Sequence, residues 1–137
     1  MREHGGFTLL EALVAIVVLS IGLLGLAALQ ATALSFNSSA YQRSQATYLA
    51  YDILDRMRAN LCRARAGDYD LTLADDVPTD TTLAATDLRE WRRAAGNLLP
   101  SGTGSIARNG NIVTITIQWD DSRGQNPVQQ FSTTTQL

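Results

Sequence analysis

The sequence predicts an α+β fold. One long N-terminal helix, transmembrane in its first half and amphipathic in its second, packs on a small antiparallel β-sheet head. Three observations predict it. Ala12 to Leu29 carries no charge and only Ser20 as a polar side chain. Downstream, Ala46, Leu49, Ala50, Ile53, Leu54, Met57 and Leu61 recur at three- and four-residue spacing, an amphipathic helical stripe. Near the C-terminus, Val113, Ile115, Ile117 and Trp119 alternate with Thr114, Thr116 and Gln118, the period of a half-buried strand.

The elements follow in order. Residues 7–30 form the membrane or core half of the helix. At 1.5 Å per residue, Ala12–Leu29 supplies about 27 Å, close to the thickness of a hydrocarbon core. Gly22 and Gly25 each cost about 1 kcal/mol against Ala inside a helix, which points to close helix packing or to local melting on leaving lipid. Residues 31–62 form the amphipathic half, with Arg43, Asp52, Asp55, Arg56 and Arg58 on its polar face. Asp52 and Arg56 make an i, i+4 pair in the favourable order. No proline precedes Pro78, so a single helix from about Phe7 to about Cys62 would be about 80 Å long.

Residues 63–137 form the head. Arg63 to Thr82 reads as a loop carrying Gly67, Pro78, Asp68, Asp70, Asp75, Asp76 and Asp80. A short helix over 87–96 follows, with Asp87 as cap, Glu90 completing a capping box and Gly96 as stop. Leu88, Trp91, Ala95 and Leu98 are its apolar face. The sheet occupies 104–137. Asn109-Gly110 is the turn between Ser105–Arg108 and Asn111–Trp119, because both residues tolerate positive φ. Asp120–Pro127 is a polar turn, and Val128 to Thr134 returns as a third strand. The helical stripe covers the sheet's apolar face.

Composition excludes several function classes. The chain has 137 residues and a net charge of −2, and its basic residues are all arginine. That balance lacks the concentrated basic footprint of a nucleic-acid partner. Arg56, Arg58, Arg63 and Arg65 cluster locally, as a solvated face or to meet an acidic patch on a neighbour. A head of about 75 residues is small enough to need a brace, which the helix supplies. The single Cys62 allows no intramolecular disulfide; a buried or half-buried thiol near the helix end is expected, with an intermolecular disulfide as the alternative. His4 is the only histidine, which removes Ser-His, Cys-His and His-zinc chemistry from everything after it. No glycine-rich phosphate loop is present. The sequence thus predicts a protein that is not an enzyme and takes no cofactor or metal. Asp68, Asp70, Asp75 and Asp76 are weak calcium candidates without EF-hand spacing.

The chain opens Met1-Arg2-Glu3-His4-Gly5-Gly6, then Phe7-Thr8-Leu9-Leu10-Glu11. A carboxylate beside an apolar segment costs roughly 2.5–3.5 kcal/mol on insertion scales and calls for a partner. Residues 1–6 have no apolar run, and no small-x-small site marks a conventional signal peptide. Gly6 leaves the backbone accessible. Together these residues resemble the type III signal of type IV prepilins and pseudopilins: a leader ending in Gly, then Phe, with Glu five residues past the cut. The resemblance implies that residues 1–6 are a leader, cut between Gly6 and Phe7 by the prepilin peptidase. It implies N-methylation of Phe7 and pairing of Glu11 with the Phe7 amine of a neighbouring subunit in a helical filament. A pilin-like helix-and-sheet fold is implied too.

Further stretches resemble PilV-type minor pilins: Gly22 to Gln30, Tyr41 to Ala46, Ala50 to Asn60, and Trp119-Asp120-Asp121. This implies a type IV pilus minor pilin that primes assembly in a tip complex, supporting twitching motility and adhesion. Its partners would be other minor pilins, the major pilin, the inner-membrane assembly platform and an adhesin-like tip protein. It would sit in the inner membrane of a Gram-negative cell, head in the periplasm, then in the surface fibre. The alternatives are a minor pseudopilin of a type II secretion system, a DNA-binding pilin of natural transformation, and a plain anchored envelope protein.

Overall fold

The computed structural model describes residues 8–122, 124 and 127–137. They form helices α1 (Leu9–Ala59), α2 (Leu61–Ala66) and α3 (Leu83–Leu98), then strands β1 (Thr103–Asn109), β2 (Ile112–Trp119) and β3 (Gln129–Gln136). The chain divides into two compact units, Met1–Ser38 and Ser39–Leu137. The described part of the first unit is Thr8 and α1 up to Ser38. The second is the head with the rest of α1. The expected α+β architecture is present: a long N-terminal helix, apolar at its start, and a three-stranded antiparallel sheet in the order β1-β2-β3.

The head core forms where the periodicities place it. Ala46, Leu49, Ala50, Ile53, Leu54 and Met57 of α1 are buried, and so are Val113, Ile115, Ile117 and Trp119 of β2. Burying each large aliphatic side chain stabilises the head by about 1.5–3 kcal/mol relative to exposure. Leu88, Trp91 and Ala95 of α3 join the same cluster. Trp91 is fully buried, and its indole N–H donates to the Leu49 carbonyl at 2.9 Å.

Several boundaries differ from the sequence expectation. The long helix stops at Ala59, because Asn60 leaves helical geometry (φ −118°, ψ 47°). The chain resumes as α2 and ends on Gly67 at φ 97°. The Gly67 N–H bonds the Ala64 carbonyl and the Asp68 N–H bonds the Arg63 carbonyl, a Schellman stop. Cys62 is exposed, contrary to expectation, because α2 turns Ala64 inward. The helix expected over 87–96 spans Leu83–Leu98, with Thr82 as cap accepting from the Ala85 N–H at 3.3 Å. Asp87 is therefore not a cap but a buried side chain within α3, Gly96 does not stop the helix, and Leu98 is exposed. Asn109 pairs with Ile112, so the turn is Gly110-Asn111. Of these two only Gly110 has positive φ (62°), as a II′ turn needs at its first central residue. The third strand starts one residue later and ends two later than Val128–Thr134.

Gly104 lets β1 approach α3. A Cβ there would lie 2.5 Å from Trp91 Cη2 and 3.1 Å from the Thr116 carbonyl oxygen. Gly104→Ala should therefore destabilise the head by about 1–3 kcal/mol through overpacking. Denaturant unfolding of the full chain in detergent, followed by tryptophan fluorescence, checks this; an unchanged midpoint would contradict the packing.

Candidate functional site

The first unit carries the expected assembly residues. Gly6 and Phe7 lie outside the described residues. Glu11 sits in the first turn of α1, where a negative charge is favoured by the helix dipole. Its backbone N–H donates to Thr8 Oγ1 at 3.3 Å. Thr8 thus caps the helix, and Thr8-x-x-Glu11 has the capping-box spacing. The sequence reading missed this local role, although the spacing announces it.

Behind Glu11 the apolar side chains are bare. Leu13, Ile16, Val18, Leu19, Ile21 and Leu24 are all more than half exposed. The segment lies in a helix long and apolar enough to cross a membrane. Two hydroxyls on it bond within the helix: Ser20 Oγ donates to the Ile16 carbonyl at 2.7 Å and Thr32 Oγ1 to the Ala28 carbonyl at 3.0 Å. This is what an apolar surrounding demands, since no water is there to take the hydroxyl proton. A Cβ on Gly22 or Gly25 would meet nothing within 4 Å. No packing among the described residues therefore requires either glycine.

Residues 1–27 match a family model, the prokaryotic N-terminal methylation motif. This is a prepilin-type start. It supports a type IV pilin or pseudopilin family, which is structural rather than catalytic, and it implies processing by prepilin peptidase and assembly with other pilins. With the apolar helix it suggests a membrane-anchored pilin. No curated protein and no solved structure matches the chain.

In the head, the acidic loop residues are dispersed. Asp68 meets Arg63 at 3.4 Å and Asp70 meets Arg108 Nε at 3.8 Å. Asp75 accepts the Thr72 N–H at 2.8 Å, which lowers its pKa. Burial raises that of Asp70, against the opposing pull of Arg108. Asp76 is exposed. Among the described residues no three His, Cys, Asp or Glu side chains could hold a metal ion together. The loop is fixed instead by two arginines the sequence reading did not single out. Arg89 donates to the carbonyls of Pro78 at 2.8 Å and Asp80 at 2.7 Å. Arg92 donates to those of Gly104 at 2.8 Å, Asp75 at 3.2 Å and Thr72. Their spacing on one face of α3 was the available signal.

The arginine cluster at the helix end is also engaged. Arg58 pairs with Asp55 at 3.3 Å, and Arg65 donates to the Leu137 carbonyl at 3.0 Å. Arg56 is the centre of a network. It meets Asp52 at 3.1 Å, Asp87 at 3.2 Å and Glu90 at 2.7 Å. Its pKa is held above the ordinary value, chiefly by the Glu90 bond. The Tyr69 hydroxyl donates to Asp87 Oδ2 at 2.6 Å and accepts from Asn60 Nδ2 at 3.2 Å. The network ties α1 to α3 and to the segment after α2.

Burial first, and the bond to Asp87 second, push the Tyr69 pKa up to about 12. An unfolded tyrosine titrates near about 10. The proton is held more tightly in the folded state, so this stabilisation is complete below about pH 10 and is lost as pH rises towards 12. Tyr69→Phe should cost about 1.5–3 kcal/mol at pH 8, as a bond to a buried carboxylate is removed. The variant should also lack the tyrosine-linked loss of stability between pH 10 and 12. Denaturant titrations of both proteins at pH 8 and pH 11 check the magnitude and the sign.

Proposed function

We propose that the chain is a minor pilin of a type IV pilus, of PilV type, that primes pilus assembly in a tip complex with other minor pilins. The observation that carries this reading is the N-terminal segment itself. A methylation motif runs straight into a bare apolar helix with a single carboxylate in its first turn. On this reading residues 1–6 are removed and the Phe7 amine is methylated. Glu11 then pairs with the amine of a neighbour, because an unpaired carboxylate in an apolar filament core is costly. Gly22 and Gly25 allow neighbouring helices to approach, and the head selects which subunits are neighbours. Residues 63–137 act as the globular head on the brace of residues 31–62.

Its work is assembly by binding, in the inner membrane and then in the fibre, supporting twitching motility and adhesion. The major pilin, the assembly platform and a tip adhesin are its partners on this reading. The deciding measurement uses a deletion strain: pilin in the sheared surface fraction, beside the secreted enzyme profile. Loss of sheared pili with normal secretion supports the minor-pilin role. Normal pili with failed secretion would transfer the protein to a type II secretion system as a pseudopilin.

Two substitutions test the chemistry. Glu11→Ala should still be cut but should enter filaments at least roughly tenfold less, read by immunoblot of sheared fibres; normal incorporation removes the pairing argument. Gly6→Arg should leave an uncut precursor in the membrane. Processing of that variant at Phe7, seen by N-terminal sequencing, would overturn the peptidase assignment.

A further inference from the structure

The two edges of the head sheet differ, and the difference points to a partner. Ile106, in the middle of β1, exchanges both backbone hydrogen bonds with Leu71, at 2.9 and 2.8 Å. The neighbouring outward carbonyl, that of Gly104, accepts from Arg92 Nε. The middle of the β1 edge is therefore occupied by the protein's own chain. At the other edge, the Leu137 N–H bonds the Asn111 carbonyl at 2.9 Å. The β2–β3 register continues from that bonded pair. In an antiparallel ladder bonded and non-bonded pairs alternate. Gln130, Ser132, Thr134 and Gln136 thus fall in the non-bonded pairs, and their N–H and C=O groups point away from β2. The side chains agree: Thr114–Thr134, Thr116–Ser132 and Gln118–Gln130 touch across the strands at 3.0, 3.2 and 3.2 Å, as the closer non-bonded pairs allow.

Among the described residues nothing pairs with this outer edge. It also lacks the usual protection. Gln129-Gln130-Phe131-Ser132-Thr133-Thr134-Thr135-Gln136 contains no charge and no proline. We propose that β3 is a pairing edge whose occupant is β3 of a second copy of this chain, joined antiparallel about a two-fold axis through Thr133. A second copy fits this edge, and the other edge limits how copies can join. In that register Gln130 faces Gln136 of the other copy and Ser132 faces Thr134, so every outward backbone group meets its complement. No like charges oppose one another, and the polar ladder continues across the joint. Because Leu71 blocks the middle of the β1 edge, copies cannot stack β3 along β1 into an open-ended sheet, and pairing closes at two. The inference rests on the sheet alone and stands apart from the role in pilus assembly.

Thr133 would then face its own copy in a non-bonded pair, with Cα atoms about 4.5 Å apart, within disulfide reach. In a Cys62→Ser background, the full-length Thr133→Cys protein should form a disulfide-linked homodimer in oxidised membranes. Ser132→Cys should form it at least tenfold less, because its own copy lies on a diagonal roughly 7–8 Å away. Thr134→Pro removes one outward N–H and no backbone bond to β2, while Thr134→Val removes the hydroxyl bond to Thr114 and keeps the outward N–H; added to Thr133→Cys, the proline should lower the cross-link at least tenfold at unchanged protein level and the valine should leave it. As a readout without new cysteines, the detergent-solubilised Cys62→Ser protein should sediment as a dimer that Thr134→Pro converts to monomer. Three results would overturn the proposal: a monomer in that background, a cross-link indifferent to Thr134→Pro, or a cross-link from the Thr133→Cys protein to a different protein, which would give the edge to a foreign strand.

Discussion

The buried stripe on α1 from Ala46 to Met57 is the constraint on which the head depends. A three-stranded sheet with one apolar face must bury that face against a second layer. Here that layer is a helix face of small and medium side chains, and Ala46 and Ala50 are as fully buried as Ile53 and Met57. Small residues let the sheet and α3 come close enough for Trp91 to reach the Leu49 carbonyl. Gly104 answers the same need from the sheet side, since any side chain there would meet the Trp91 ring.

Charge then locks what apolar packing has brought together. Arg56 lies on α1 beside the stripe and faces Asp87 and Glu90 of α3, while Tyr69 closes on the other Asp87 oxygen. A carboxylate as buried as Asp87 would be costly unpaired, and a cation with a hydroxyl donor removes that cost. The network also specifies alignment, because turning α3 about its axis would strand Asp87 without partners. Arg89 and Arg92 extend the same logic, pinning a loop with little regular structure through its backbone carbonyls.

The first unit obeys a different solvent rule. The hydroxyls of Ser20 and Thr32 bond their own helix and the apolar side chains around them are bare, so the stretch from Ala12 to Leu29 presents no polar group that needs water. Glu11 is the exception in charge. Its place at the positive end of the helix, with its amide on Thr8, gives it a local reason to be there. That local role is compatible with the pairing proposed above, since the cap uses the Glu11 amide and not its carboxylate oxygens.

Hydrophobic period was enough to place the long helix, its buried stripe, the alternating core strand and the α+β architecture, while turn chemistry missed the hairpin turn by one residue. Each is a repeating pattern whose physical cause acts along the chain itself. The N-terminal motif is equally local, and its match over residues 1–27 rests on the sequence alone. Decisions that compare distant residues were not legible. Asp87-Leu88-Arg89-Glu90 looks like a capping box in isolation, yet Thr82 caps the helix and Asp87 turns inward, because Arg56 stands 31 positions away to receive it. Cys62 looks like a core residue by type, but the break at Asn60 rotates it to the surface. Tyr69 and Leu71 become core within a stretch that reads as polar loop, through Asp87 and the β1 edge respectively. The sequence by itself determined which elements form and which faces are apolar, because these depend on spacing along one chain. Only the tertiary structure decided which charges meet and which sheet edge stays open, because those depend on residues that folding brings together.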